Sequence, residues 1–389
     1  MPSASAARFL RVLVAATLLA AFCLLVAAGA HTPNARAIVS ARCIPRTATA
    51  TPPPRLPPRP MNPRRKAARV EATHVLTSCP TGQVPKTVPA RPKVPKGNPL
   101  IGPVRGSASL FFGSPNQAAR LIRRARLPFR KVYPRGGGTP PRAYQVGPQV
   151  AQGPGCNGTA YFDSCFYYGS AAYGRTARGG GTTMGIAKPA YDGSGGPGHS
   201  LDEISVQGGT SSGDIVEVGW NVSTSQYANA NPHLFVFHWI AWTPTCYDTC
   251  AWHQYSSTYA PGTDLSALVG HELYVGWVYY QGNWWAWFDN QWLGYFPGSE
   301  WPSGYTSNSL VQWFGEVSTA NGLPPHTDMG TGTFPPSMSA ARNATLCDVD
   351  PSVWVCFYRD GQATAETYPA YYKSTRSGFG EVRYGGPGE

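Results

Sequence analysis

The chain has 389 residues, enough for one large hydrophobic core or for two domains. Its net charge of +12 is the sum of two unlike parts: residues 1–150 hold 24 of the 32 Lys and Arg residues and one acid, Glu71, whereas residues 151–389 hold 8 bases and 19 acids. This uneven charge argues against a nucleic-acid-binding protein, because only the N-terminal part is basic.

The first 30 residues predict a secretory signal peptide. Arg8 and Arg11 precede an apolar stretch that runs from Val12 to Ala28, and small residues follow at 28–30. An uncleaved membrane anchor is the alternative, because the apolar stretch approaches the length that spans a bilayer. We expect the mature protein to be secreted and extracellular, without membrane contact once the signal is removed.

Residues 31–154 form a basic, proline-rich segment. Very few of its residues are large and apolar, so we expect it to be largely disordered. One short helix is predicted between Ser114, a suitable N-cap, and Pro128, which ends it. A basic amphipathic helix can bind a membrane or a nucleic acid, but we favour docking onto the chain's own acidic part.

The remainder, 155–389, is rich in Gly, Trp and Tyr and alternates in short runs that indicate strands. The predicted strands are 201–208, 214–222, 233–242, 252–258, 272–280, 284–289, 310–318 and 353–358. Many short strands with turn residues between them are typical of a β-sandwich or a barrel. We interpret the glycine runs at 179–181 and 193–198 as loops.

Two glutamates, Glu217 and Glu316, each lie in a predicted strand on the face opposite an apolar row. Successive strand residues alternate faces, so Glu217 points away from Val218 and Trp220. If the two strands lie side by side, the carboxyls share one surface and do not both ionise easily. One would then act as an acid and the other as a base. The alternative is that both are ordinary solvent-exposed strand residues.

Eight short blocks in this chain resemble the neprosin family, which contains secreted prolyl endopeptidases of the glutamic-peptidase type. The resemblance covers roughly residues 160–389 and implies an antiparallel β-sandwich whose two catalytic glutamates are Glu217 and Glu316. The blocks are Val-Glu-Val-Gly-Trp-Asn-Val at 216–222, Leu-Phe-Val-Phe at 234–237, Cys-Tyr at 246–247, Gly-Asn-Trp-Trp at 282–285, Leu-Gly-Tyr-Phe-Pro at 293–297, Gln-Trp-Phe-Gly-Glu-Val at 312–317, His-Thr-Asp-Met-Gly-Thr-Gly at 326–332 and Tyr-Gly-Gly-Pro-Gly at 384–388.

The chain departs from the family pattern next to the second glutamate. Where the family usually has Trp-Gly-Gly-Glu, this sequence places Phe314 two positions before Glu316, on the same strand face. The ring narrows or reshapes the substrate site. We therefore list Trp220, Gln312 and Phe314 as candidate substrate-binding residues.

Cysteine usage agrees with export. Outside the signal peptide there are eight cysteines, an even number that favours disulfides. The simplest scheme pairs sequence neighbours, Cys43 with Cys79, Cys156 with Cys165, Cys246 with Cys250 and Cys347 with Cys356. A zinc site is the rival explanation, but there is no Cys-x-x-Cys and the histidines are scattered. We expect neither a metal nor another cofactor.

The leading hypothesis is a secreted glutamic endopeptidase made as a zymogen, which cleaves after proline at acidic pH with two glutamates and a water molecule. The charge contrast suggests that the propeptide, 31–154, inhibits the acidic domain, 155–389, by electrostatic attraction. We expect a monomer whose partners are protein or peptide substrates. The alternatives are a β-sandwich glycoside hydrolase and a non-catalytic module that binds wall polymers.

Overall fold

Alternation of apolar and polar residues builds a protein that is almost entirely β-strand. The computed structural model describes residues 43–46, 56–61, 78–86, 159–161, 164–193, 198–208, 213–241, 243–248, 251–320, 323–338, 340–359, 362–378 and 380–389. These residues all belong to one compact unit, Arg42–Glu389. They include no α-helix, and none of their helical segments is long and apolar enough to span a membrane. The predicted signal peptide and the helix at 114–128 lie outside the described residues.

Twenty strands are described, together with two short 3-10 helices, Ser266–Leu268 and Gly298–Glu300. The strands are β1 (Cys43–Pro45), β2 (Arg59–Met61), β3 (Gln83–Pro85), β4 (Thr159–Tyr161), β5 (Ser164–Ala177), β6 (Gly179–Gly185), β7 (His199–Gln207), β8 (Ile215–Val222), β9 (His233–Ile240), β10 (Thr243–Tyr247), β11 (His253–Gln254), β12 (Glu272–Tyr280), β13 (Asn283–Phe288), β14 (Gln291–Pro297), β15 (Asn308–Ala320), β16 (Ala341–Asp350), β17 (Val355–Tyr358), β18 (Ala363–Glu366), β19 (Lys373–Gly378) and β20 (Glu381–Gly385).

Eighteen of these strands form two large sheets that pack face to face, and β1 and β3 pair in a separate two-stranded sheet. The first sheet has the order β10-β9-β8-β7-β15-β5-β18, with β4 also paired to β5. The second sheet has the order β11-β14-β13-β12-β6-β16-β17-β2, with β20 on β16 and β19 on β20. Pairing is antiparallel except between β17 and β2, which run parallel. Neither sheet closes on itself, and the predicted antiparallel β-sandwich is confirmed.

Large aromatic side chains fill the space between the sheets. Trp220 and Trp313 of the first sheet and Trp277 of the second are fully buried in one hydrophobic cluster. The indole N–H of Trp220 donates to the carbonyl oxygen of Gly185 at 3.0 Å, and that of Trp313 donates to Gly181 at 3.2 Å. These hydrogen bonds cross from one sheet to the other, so the tryptophans fix the distance between the sheets as well as filling the core.

All eight predicted strands overlap an observed strand; seven agree to within a few residues at each end, and the prediction at 252–258 overlaps only the two-residue strand β11. The sequence missed several others, including β5, β16 and the strands after Tyr358. The interpretation of Gly179–Gly181 as a loop was wrong, because these glycines begin β6 in the middle of the second sheet. Glycine is needed there because the Trp287 side chain lies against the backbone. The second glycine run lies mostly outside the described residues.

Two of the predicted disulfides are confirmed. Cys43 pairs with Cys79, which ties β1 to the chain just before β3, and Cys347 pairs with Cys356, which joins β16 to β17. Cys165 is also disulfide-bonded, but its predicted partner lies outside the described residues. The predicted pair Cys246–Cys250 includes a residue that is likewise not described.

The close approach of Trp287 to the glycines of the second sheet gives a test of the packing. A Cβ atom added to Gly276 would collide with the Gly180 carbonyl oxygen and with the Trp287 ring. Gly276→Ala should therefore destabilise the protein by about 1–3 kcal/mol, measured by chemical unfolding. Gly174→Ala is the control, because its nearest neighbour would be a carbonyl oxygen at 3.9 Å, and it should change the stability little. Equal stability of the two variants would contradict this account.

Candidate active site

Three glutamates lie on three neighbouring strands of the first sheet. The sheet order places β7 between β8 and β15, so the strands of Glu217 and Glu316 are not adjacent, unlike the side-by-side arrangement considered from the sequence. Glu203 of β7 stands opposite Gly219 on one side and Phe314 on the other. Glu217 lies two residues before Gly219, and Glu316 lies two residues after Phe314. All three glutamates therefore point to one face, with Glu203 in the middle.

This face is turned away from the second sheet. The residues of β8 that alternate with Glu217, such as Val216 and Val218, belong to the cluster between the sheets. The carboxyl groups of Glu203, Glu217 and Glu316 are nevertheless 0 % exposed. The alternation argument therefore placed the two predicted glutamates on the correct face, but it did not predict that they are buried.

Glu217 is buried between Ser205 of β7 and Phe237 of β9, its neighbours on the adjacent strands. The indole N–H of Trp239 on β9 donates to Oε2 of Glu217 at 3.0 Å. Burial raises the pKa of Glu217 well above its usual range, and this effect outweighs the opposing influence of the Trp239 hydrogen bond. The negative charge of Glu316 acts in the same direction as burial. Glu217 therefore keeps its proton to an unusually high pH.

Glu316 has a different partner. Nε2 of His199, at the start of β7, lies 2.5 Å from Oε1 of Glu316. Ser318, on the same face of β15, lies 2.8 Å from the other ring nitrogen of His199 through its hydroxyl oxygen. An imidazole N–H that donates to a carboxylate stabilises its negative charge. The imidazole ring of His199 therefore lies against one oxygen of the Glu316 carboxyl group.

Glu203 is a site residue that sequence reasoning missed. Burial raises its pKa well above the usual range, and the charges of Glu217, Glu316 and Asp202 raise it further. Neither of its carboxyl oxygens accepts a hydrogen bond from the described residues. The signal was present in the sequence, since Glu203 lies in the predicted strand 201–208 and alternates with Ile204 and Val206 in the same way as the two predicted glutamates.

Aromatic and apolar side chains surround the three carboxyls. Phe314 belongs to this cluster, as its position beside Glu316 predicted, and it contacts Tyr168 edge to face with 5.8 Å between ring centres. Phe237 and Trp239 make a similar contact at 5.3 Å. The full cluster comprises Phe166, Tyr168, Leu201, Ile215, Phe235, Phe237, Trp239 and Phe314. These side chains provide an apolar wall next to the carboxyl groups.

The other two predicted substrate-binding residues lie in different places. Gln312 is on the glutamate face and accepts a hydrogen bond from the side-chain amide of Gln207. Trp220 is on the opposite face of the sheet, buried between the sheets and hydrogen-bonded to Gly185. The structure therefore does not bring Trp220 to the glutamates, and its assignment to substrate binding is withdrawn. The sequence already indicated this position, because Trp220 lies three residues after Glu217 in β8 and therefore on the opposite face of the strand.

No cluster of three or more His, Cys, Asp or Glu side chains suited to a metal ion occurs among the described residues. An open pocket of about 300 Å³ borders strands of the second sheet, with Gly185, His271, Arg342 and Arg383 among its lining residues. None of the three glutamates lines it. The side chains on the glutamate face include carboxylic acids, an imidazole and a hydroxyl group.

Comparison with known proteins identifies the segment that contains this site. Residues 197–387 match the family model of Neprosin, and the matched range includes all three glutamates. It leaves out β1 to β6, the strands that precede it in the chain.

Several solved structures resemble the chain in shape at low sequence identity. SCP-B, a member of the eqolisin family of peptidases solved with the tripeptide Ala-Ile-His, gives a TM-score of 0.32 at 9 % identity and covers 56 % of this chain and 96 % of its own. Scytalido-glutamic peptidase with a peptide-based transition-state analogue gives the same score and identity, with 56 % and 97 % covered. A family 16 endo-glucanase from Bacteroides ovatus gives 0.24 at 8 % identity, with 56 % and 79 % covered.

The buried acids make the stability depend on pH in a defined direction. A carboxyl whose pKa is raised on folding binds its proton more tightly in the folded state. The carboxyl therefore contributes less to stability as the pH rises above the pKa that it has in the unfolded chain. Burial is the first cause of a pKa raised well above the usual range in four acids, Asp202, Glu203, Glu217 and Asp248. Burial lowers the pKa of His238 to about 4, which opposes this trend only below about pH 6.5.

We therefore expect the melting temperature to be higher near pH 6.5 than near pH 8. Glu203→Gln removes one of the four groups and should make this difference smaller, because the amide does not titrate. Calorimetry of both proteins across this range measures the effect. A melting temperature that rises from pH 6.5 to pH 8 would show that the buried carboxyls do not control the stability.

Proposed function

Because residues 197–387 are a Neprosin domain, we propose that this protein is a peptidase in which Glu217 and Glu316 hydrolyse the peptide bond. The observation that carries the proposal is that both carboxyls are buried on one sheet face with different surroundings. Burial favours the neutral form of Glu217, whose pKa is raised, whereas Glu316 contacts the imidazole of His199. Two carboxyls that differ in this way can serve as an acid and a base at the same pH.

In the proposed reaction, Glu316 is the general base. Its carboxylate removes a proton from a water molecule while the water oxygen attacks the carbonyl carbon of the scissile bond. His199 is a positioning residue, because it contacts Glu316 and Ser318 rather than the substrate. The chain Ser318–His199–Glu316 holds the carboxylate in one orientation.

Glu217 is the general acid. It gives its proton to the amide nitrogen as the carbon–nitrogen bond breaks, and the products are a new carboxyl terminus and a new amino terminus. The proton taken up by Glu316 then returns Glu217 to its neutral form, so the pair ends each cycle as it began. Trp239 holds Oε2 of Glu217 and stabilises the charge that remains after the proton has left.

Glu203 is a further positioning residue in this proposal. Its proton is held tightly because burial and the charges of its neighbours both disfavour ionisation. A protonated Glu203 can donate a hydrogen bond to the Glu217 carboxylate, and such a bond makes ionised Glu217 more favourable. Glu203 would thus help Glu217 to release its proton at the correct step.

The aromatic wall supports a preference for proline next to the cleaved bond. The pyrrolidine ring of proline is compact and apolar, and the residue has no N–H of its own, so it packs well against aromatic faces. Tyr168, Phe314 and Phe237 supply such faces beside the carboxyls. Four further parts of the proposal come from the sequence. They are proline specificity, secretion, a monomeric state and inhibition by the N-terminal segment.

The first prediction for the proposed function concerns the two reacting carboxyls. Glu217→Gln and Glu316→Gln keep the shape of the side chain but remove the titrating group, so each should lower kcat/KM for a peptide substrate by roughly 100-fold or more. Glu272→Gln is the control, because Glu272 is partly exposed and pairs with Arg342 on the second sheet. It should leave the activity unchanged.

The assay is run at acidic pH, with thermal unfolding used to verify that each variant is folded. Near wild-type turnover by either Gln variant would show that the residue has no part in the reaction. If the protein hydrolyses a β-glucan instead of the peptide, and the two Gln variants lose that activity, the protein is a glycoside hydrolase and not a peptidase.

The second prediction concerns specificity. Incubation with a mixture of denatured proteins, followed by mass spectrometry of the new termini, should show cuts that follow proline far more often than its abundance explains. The physical reason is the fit of the pyrrolidine ring to the aromatic wall. Cuts with no enrichment of proline on the amino side of the broken bond would refute the specificity while leaving the reaction intact.

A further inference from the structure

The outer face of the second sheet carries a second aromatic cluster. The three glutamates lie on the other sheet, so this cluster is separate from the proposed active site. We call it the aromatic face. Its buried members are Tyr274, Val278, Trp285, Trp287, Trp292, Tyr295, Cys347, Val349, Cys356 and Tyr358. An apolar surface of this size would be unfavourable in water, because monomeric proteins rarely expose such large contiguous patches.

Part of the N-terminal segment lies on this face. Strand β2 adds to the edge of the second sheet in parallel with β17, in the register Arg59 to Val355, Pro60 to Cys356 and Met61 to Phe357. The backbone N–H of Arg59 donates to the carbonyl oxygen of Trp354 at 3.3 Å. The alternating exposure of the strand, with Pro60 buried between two exposed neighbours, is that of a strand docked through one face.

Side chains of the aromatic face and its border hold the backbone that leads into β2. The hydroxyl of Tyr274 donates to the carbonyl oxygen of Pro58 at 2.8 Å, and the indole N–H of Trp354 donates to that of Leu56 at 2.8 Å. Pro57 and Pro58 are buried. Proline fits this role, since it has little backbone entropy to lose and needs no partner for an N–H group.

A second part of the segment is fastened nearby. Strands β1 and β3 pair with each other, and the Cys43–Cys79 disulfide closes the loop between them. The N–H of Cys79 donates to the Ser257 carbonyl oxygen at 2.6 Å. The guanidinium group of Arg46 lies 4.7 Å from the centre of the Tyr255 ring, which borders the aromatic face.

We propose that residues 43–46, 56–61 and 78–86 are a permanent part of the folded domain, and that they stay bound, β2 by strand addition, when the chain is cut between residues 86 and 159. The contacts described for these residues are hydrogen bonds, apolar packing and one cation–π contact, and none of the described ion pairs includes a residue of these stretches. Their attachment should therefore resist salt, unlike the electrostatic attraction predicted for the basic segment as a whole. They are bound to the sheet opposite the glutamates, and so any inhibition would involve other residues.

The test uses the full chain, with the recognition sequence of a site-specific protease inserted after Lys93. Both Cys43 and Cys79 lie on the N-terminal fragment, so their disulfide does not tie it to the domain. After complete cutting, gel filtration in low and in high salt should show the fragment eluting with the domain in both. Elution of the fragment as a free peptide would overturn the proposal. The result does not depend on peptidase activity.

Two neighbouring substitutions examine the docked strand itself. Pro60→Asp puts a charge at the buried position of β2, whereas Met61→Asp changes a side chain that is 38 % exposed in the same strand. Pro60→Asp should speed the loss of the cut fragment at least tenfold, and Met61→Asp should change it little. If both variants keep the fragment as firmly as the unchanged chain, the β2–β17 contact is not what holds it. If Pro60→Asp fails to fold, gel filtration of the cut chain without this substitution still tests the proposal.

Discussion

Carboxyl groups buried together in one sheet face cannot all carry a charge, and this constraint governs the rest of the site. Removing a carboxylate from water is costly, and a second negative charge nearby adds to that cost. Glu203, Glu217 and Glu316 can therefore be buried on adjacent strands only if protons or donors neutralise most of them. The surrounding groups decide which of the three is charged.

The donors around the site separate the three groups. Nε2 of His199, at the start of β7, contacts Glu316, while the indole N–H of Trp239 donates to Glu217. Glu203, in the centre, is surrounded by the charges of the others. A shared backbone scaffold thus gives three chemically identical side chains three different sets of neighbours, and the proposed acid–base mechanism assigns them different roles.

The sequence by itself determined the fold class, the faces of Glu217 and Glu316, and two disulfides. The fold class and the faces depend on a local rule, because side chains alternate along a strand. Cys347 and Cys356 lie on the paired strands β16 and β17. Cys43 and Cys79 are 36 residues apart, and their pairing was predicted because they are neighbouring cysteines along the chain. The eight predicted strands were found because each alternates clearly. Local rules failed at Gly179–Gly181, which were predicted to form a loop. Glycine often indicates a turn in a sequence, but here it makes room for the Trp287 ring.

Only the tertiary structure decided what depends on strand order. That β7 lies between β8 and β15 is set by pairings across a hundred residues, and no local pattern encodes it. This order brings Glu203 and His199 to the site, and the alternation along β8 directs Trp220 into the core. The same holds for Pro60, whose neighbourhood reads as disordered because proline-rich chains bury little of their own surface. It becomes a strand because a sheet edge almost 300 residues later in the chain supplies the apolar surface that the segment lacks.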